Sequence, residues 1–224
     1  MHHKNLPVID SILFDMIGTT VLETKDQIVL KCLCEAFSEH LPGIDCSLLP
    51  LHRGKQKREM IAAILKQNGL SLSFTVPVYE RFIKKFNSNF SNFSEAPGAT
   101  ELFRLLKNKG ILIGLGTGLE RNIFDALLKY LGWHHEDFDY TGTCSEVIRG
   151  RPYPDMIIAM MQQLSLSRPG RLLKVGDTVA DILEGKNAGA RTAVILSGTQ
   201  DEKMLREAKP DYLFHHLNEL ASLL

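Results

Sequence analysis

Residues 12–21 read Ile12-Leu13-Phe14-Asp15-Met16-Ile17-Gly18-Thr19-Thr20-Val21: a short apolar run that stops at a carboxylate and enters a glycine-containing turn. Three large apolar residues in succession suit a strand buried on both faces. Asp15 then stands at the strand end, beside turn N–H groups that can cradle a phosphoryl oxygen while a carboxylate attacks the phosphorus. An aspartate before a Gly-Thr pair is also a common turn former, so this stretch has to be read with the rest of the chain.

Three further runs resemble it, at residues 111–115, 172–175 and 192–196. Between them lie helical stripes: Leu102, Leu105 and Leu106; then Ile123, Ala126, Leu127 and Tyr130; then Ile157, Met160, Met161 and Leu164. Strands alternating with helices predict an α/β fold, a Rossmann-like parallel sheet covered on both faces. Residues 24–93 break the alternation, because they hold only helical patterns. They are expected to form a small helical cap inserted into a discontinuous core of residues 1–23 and 94–224, with the Asn/Ser-rich residues 88–94 suiting a hinge.

The 224 residues and 44% hydrophobic content suffice for such a core and a modest second module. Lys+Arg and Asp+Glu both number 26, so no global field draws the chain to nucleic acid or an anionic membrane. No apolar run has membrane-spanning length, and no signal-peptide segment stands at the N-terminus, which makes the cytoplasm the expected compartment. Cys32, Cys34, Cys46 and Cys144 show no C-x-x-C spacing and are expected as reduced thiols. His2 and His3 are read as solvent-exposed.

Polar residues close three strands: Asp15, Thr117 and Asp177. Ligands of open parallel sheets bind at the carboxyl ends of strands, so these side chains are expected to converge. After Asp177, Thr178-Val179-Ala180-Asp181 puts a second carboxylate one turn into a helix. Oxygen donors of this kind suit Mg²⁺, although either aspartate alone could serve the helix N-terminus. Arg149-Gly150-Arg151-Pro152-Tyr153-Pro154-Asp155 places a cation before a proline-started helix, where it can reach a phosphoryl group or remain a solvated arginine.

Taken together, FDMIGTTV, GTG, GRPYPDM and KVGDTVADILEGKNAG resemble, in that order, the motifs of the haloacid dehalogenase superfamily across nearly the whole chain, and within it the phosphonoacetaldehyde hydrolase (phosphonatase) group. The resemblance implies Asp15 as nucleophile, Thr117 and Arg151 as phosphoryl-binding groups, and Mg²⁺ held by Asp15, Asp177, Asp181 and the backbone carbonyl of Ile17. Thr19, Gly118 and Arg53 are the further substrate contacts it suggests. A small phosphonate or phosphate is the implied substrate, and a dimer through the caps the implied assembly.

Ordinary phosphatases of the superfamily carry a second aspartate where this chain has Ile17, and isoleucine can neither protonate a leaving alcohol nor activate water. Phosphonatases also lack that acid, because their leaving carbon is stabilised through an imine to a cap lysine. Lys57 matches that lysine: it follows Gly54 by three residues and opens a cap helix pattern, with Arg53, Lys55 and Arg58 nearby to disfavour its proton. A basic loop in solvent would look the same. The chain departs from the group at Met60, Arg53 and Leu119, where a histidine, a methionine and a tyrosine are characteristic. The expected activity is therefore lysine-assisted C–P cleavage, with a phosphomonoesterase and a non-catalytic phosphate-ligand-binding protein as alternatives.

Overall fold

The computed structural model describes residues 8–23 and 27–223. His2, His3 and the expected start of the insert at Thr24 lie outside them. The central element is β1 (Ser11–Asp15), buried at every residue, as its uninterrupted apolar run requires. β4 (Leu112–Thr117) and β6 (Leu172–Gly176) flank it in parallel, and β5 (Tyr140–Thr143), β7 (Arg191–Ile195) and β8 (Tyr212–Phe214) complete a six-stranded sheet of order β5-β4-β1-β6-β7-β8. Register pairs Asp15 with Gly116 and Phe14 with Val175, so β1, β4 and β6 end at one level. That shared rim brings Asp15, Thr117 and Asp177 together.

Side chains of β1 alternate between faces. Ile12 and Phe14 join the large apolar cluster, with Phe14 edge-on to Phe103 at 5.5 Å, whereas Leu13 joins Met156, Ile157 and Met160 behind the sheet. The covering helices follow the expected stripes: α4 (Ala99–Asn108), α5 (Arg121–Leu131), α6 (Asp155–Gln163), α7 (Val179–Ala188) and the short α8 (Glu202–Glu207). Tyr130 leaves its predicted stripe: it is half exposed and packs against Phe90 of the insert.

The helical insertion consists of α1 (Ile28–His40), α2 (Lys57–Gln67) and α3 (Thr75–Asn87). Its connection is a two-stranded antiparallel ribbon, β2 (Val21–Glu23) with β3 (Phe93–Glu95), where the sequence suggested only a polar hinge. The apolar faces of α1–α3 are continuous with the sheet cluster through Leu33, Phe37, Phe82 and Phe86. This insertion sits closed on the sheet rim: Gln56 Nε2 donates to the Cys144 carbonyl at 3.3 Å, and Arg58 Nε lies 3.1 Å from Glu120.

The expectation of four reduced thiols is corrected here. Cys34 and Cys46 form a disulfide with Cα atoms 5.8 Å apart, because the chain reverses after α1 and runs back beside it. Cys32 and Cys144 remain free, and burial pushes each thiol up to about 11. The cytoplasmic expectation loses the support it drew from reduced cysteines. No helix among the described residues is long and apolar enough to cross a membrane.

Candidate active site

The rim of β1 and β6 concentrates carboxylates. Asp15, Asp177 and Asp181 are buried, and one oxygen of each lies within 4.8 Å of the others. Thr178 caps α7, and its hydroxyl exchanges hydrogen bonds with Asp181, 2.5 Å to Oδ2 and 3.3 Å from the Asp181 N–H. Helix capping therefore fixes Asp181 in the site, and the two readings of that residue describe one geometry.

Asp177 is oriented by Thr19, whose hydroxyl donates to Oδ1 at 3.3 Å, and by Thr199, whose N–H donates to Oδ2 at 2.7 Å and whose hydroxyl also donates there. The chain must turn tightly around this carboxylate: Gly18 has φ +97°, and a Cβ there would strike Asp177. Thr19 thus holds Asp177 and does not line the cavity with the other expected contacts.

Two buried cations brace the acids. Arg151 reaches Asp15 Oδ1 at 2.5 Å, Asp181 Oδ1 at 3.1 Å and Glu184 Oε2 at 3.0 Å, and donates to the Gly116 carbonyl at 3.1 Å. Lys174 reaches Asp181 at 2.8 Å and Glu184 at 3.4 Å. The sequence reading missed Lys174 and Glu184. The available signals were a lysine inside an otherwise apolar strand, LLKVG, and an acid three residues beyond Asp181 on the same helix face.

Electrostatics separate these acids. Burial raises Asp15, although Arg151 and Lys174 oppose it. Burial and then the charges of Asp15 and Asp181 push Asp177 up to about 7. Burial also acts to raise Asp181, but Arg151 and Lys174 outweigh it and hold that carboxyl below its ordinary value. Four buried carboxylates, Asp15, Asp177, Asp181 and Glu184, face the two cations Arg151 and Lys174. The ionised cluster consequently carries a charge deficit that one divalent cation would neutralise, and its all-oxygen donor set fits Mg²⁺.

Above the cluster lies a small cavity of about 40 Å³. Asp15, Ile17, Thr117, Gly118 and Arg151 line it from the sheet side, and Arg53, Gly54, Lys57 and Met60 from the insertion. Thr117 Oγ1 accepts from the Leu119 N–H at 3.2 Å, which holds its hydroxyl at the rim. A Cβ on Gly118 would come 3.1 Å from the Lys55 carbonyl, so glycine there admits the close approach of the insertion. Lys57 opens α2. Burial lowers its proton affinity; Asp15 and Cys144 act against this, and Arg53 and Arg151 reinforce it.

A parallel sheet with a buried triple-aspartate cluster at its carboxyl rim, closed by a helical insertion, makes a site able to hold a divalent metal ion. The sequence matches the haloacid dehalogenase-like hydrolase family over residues 12–195, and the chain belongs to that family. It is similar to the phosphonoacetaldehyde hydrolase of Bacillus cereus (strain AH820), 27% identical over 206 residues covering 86% of this chain and 78% of that protein. Among solved structures it resembles a hydrolase from Pseudomonas syringae, with a TM-score of 0.85, 20% identity and coverage of 95% of this chain and 97% of that one. It also resembles a predicted phosphoglycolate phosphatase from Haemophilus somnus 129PT, with a TM-score of 0.79, 19% identity and coverage of 96% and 97%. At these identities the two structural likenesses speak for the fold.

Proposed function

We propose that this hydrolase cleaves the C–P bond of a small carbonyl phosphonate through an imine to Lys57, with residues 1–23 and 94–224 as the catalytic core and residues 24–93 as the cap. The observation that carries the reading is Lys57 itself. It lines the same cavity as Asp15, and burial disfavours its charged form, which is the state an amine must leave to attack a carbonyl. Ile17 lines that cavity where an ester-cleaving phosphatase needs an acid, and the similarity to a phosphonoacetaldehyde hydrolase agrees. The phosphatase-like solved structure shares the fold and does not distinguish the two chemistries.

In this reading Lys57 condenses with the substrate carbonyl and releases water. Asp15 attacks phosphorus, and the C–P electron pair passes into the imine to give an enamine, which takes up a proton at carbon. Water then hydrolyses the aspartyl phosphate and the imine. The sum is carbonyl phosphonate plus water giving phosphate and a carbonyl compound. Thr117 and Arg151 orient the phosphoryl oxygens. A magnesium ion bound by Asp15, Asp177, Asp181 and the Ile17 carbonyl would supply neutralisation of the phosphoryl charge.

The test is borohydride reduction in the presence of Mg²⁺ and phosphonoacetaldehyde, with peptide mass mapping. A reduced adduct on Lys57, and a fall in phosphate release of about a thousandfold or more in Lys57→Ala, are expected. Phosphate release from esters alone, indifferent to Lys57→Ala, would establish a phosphomonoesterase instead. Mg²⁺-dependent binding of phosphate analogues without any turnover would establish a binding protein.

A further inference from the structure

The cap wall of the cavity is apolar, built by Val29, Leu30 and Met60, except for two cations, Arg53 and Lys57. The proposed chemistry employs only the lysine. Arg53 is only 7% exposed. Its Nη1 lies 3.4 Å from Glu23 Oε1, and the other oxygen of Glu23 accepts from the Val29 N–H at 3.1 Å. Its Nη2 is buried and has no hydrogen-bond partner among the described residues. A guanidinium nitrogen removed from water and left without an acceptor is costly, and such groups in native proteins are ordinarily satisfied by a ligand or water.

We propose that Arg53 binds a carboxylate of the substrate, so that the preferred substrate is a phosphonate carrying a carboxylate on its carbonyl carbon, a 2-oxo acid in place of an aldehyde. The inference rests on the C–P reading for the carbonyl, and on Arg53 alone for the carboxylate. Arg53 and Lys57 stand on either side of the Gly54 turn and line one wall. A carbonyl carbon held by Lys57 therefore presents its remaining substituent toward Arg53, while the phosphoryl group points to the sheet rim. The free edge of a guanidinium matches a planar carboxylate. Gly54, at φ +81°, makes this possible: a Cβ there would collide with Thr178 and Ala180, so only glycine lets the Arg53 loop settle on the start of α7.

The deciding experiment is calorimetric titration of the full-length, Mg²⁺-loaded protein with two unreactive probes, 3-phosphonopropanoate and ethylphosphonate. Binding of the carboxylated probe about tenfold more tightly is expected, with the difference lost in Arg53→Met and partly kept in Arg53→Lys. Because Arg53→Met strands the Glu23 carboxylate, the double variant Glu23→Gln/Arg53→Met carries the comparison if the single variant does not fold. Equal affinities in the unaltered protein, failure of both probes to bind, or a preference that survives Arg53→Met would overturn the inference. Phosphate release from 3-phosphonopyruvate and phosphonoacetaldehyde, measured alongside, separates the two readings. Ligand preference without cleavage of either compound sinks the C–P reaction and leaves Arg53's role standing, whereas cleavage of both without preference does the reverse.

Discussion

On the sheet side of the cavity, Asp15, Asp177, Asp181 and Glu184 are cross-braced by Arg151, Lys174, Thr178 and Thr199, so that each acid has at least one fixed protein partner. On the cap side, Arg53 and Lys57 stand on an apolar wall with few fixed partners, and one arginine nitrogen has none among the described residues. In the proposed reaction, the difference follows from what each wall handles. Phosphoryl transfer needs charge pre-positioned against a constant group, which a rigid strand rim supplies. The variable part of a substrate meets the cap, whose side chains can change without disturbing the sheet. A fold that keeps the first wall and alters the second can change substrate while keeping its reaction.

That contrast can be broken most severely at Asp15. Asp15→Asn removes the oxygen that attacks phosphorus in the proposed reaction while preserving shape, and phosphate release from any substrate is expected to fall by about ten-thousandfold. Cap variants should instead discriminate between substrates. A loss in Asp15→Asn no larger than in Lys57→Ala, or one confined to a single substrate class, would erase the distinction between the walls.

Lys174→Met probes the bracing. Lys174 is fully buried between Asp181 and Glu184, and its removal leaves these two and Asp15 sharing Arg151. A loss of about 3–5 kcal/mol in denaturant unfolding is expected, because an uncompensated buried charge costs more than the pair contributes. Unchanged stability would mean that water or protonation already compensates the cluster.

The smallest effect concerns pH. Asp177 sits at about 7 in the metal-free site, above its ordinary value of 3.8. The folded state therefore holds more protons than the unfolded chain between roughly pH 4 and 7, and stability from this group falls as pH rises through that window. Thermal melts without metal should decline by a few degrees from pH 5 to 7.5, and Asp177→Asn should flatten the slope. Added Mg²⁺ should raise the melting temperature more at pH 7.5, where binding has fewer protons to displace, than at pH 5. A metal-free stability that increases across the window would contradict the crowding of these acids.

Much of the sheet was legible. ILF and LLKV are dense apolar runs, and each ends beside an aspartate, so β1 and β6 announced both themselves and their rim. The edge strands β5, reading YTGT, and β8, reading YLF, carry too little apolar pattern to be seen, since an edge strand is held by pairing more than by burial. Lys174 and Glu184 were overlooked for a related reason: each is an ordinary surface residue type with only a faint local signal, and the packing of α7 on β6 turns them inward. Thr19 was expected at the substrate, and its place under Asp177 depends on how the Gly18 turn is wound. The Cys34–Cys46 link depends on the direction in which the chain leaves α1.

The order and spacing of the strand-ending aspartates, the helical break between residues 24 and 93, and the isoleucine at position 17 were determined by the sequence, because they are properties of neighbours along the chain. Tertiary structure alone decided that four separated acids share two cations, that the cap seats on Gly118 and α7, and that Arg53 faces the cavity with a nitrogen unsatisfied. Those are consequences of through-space electrostatics and desolvation. They act between residues that only the closed sheet and its lid bring within reach.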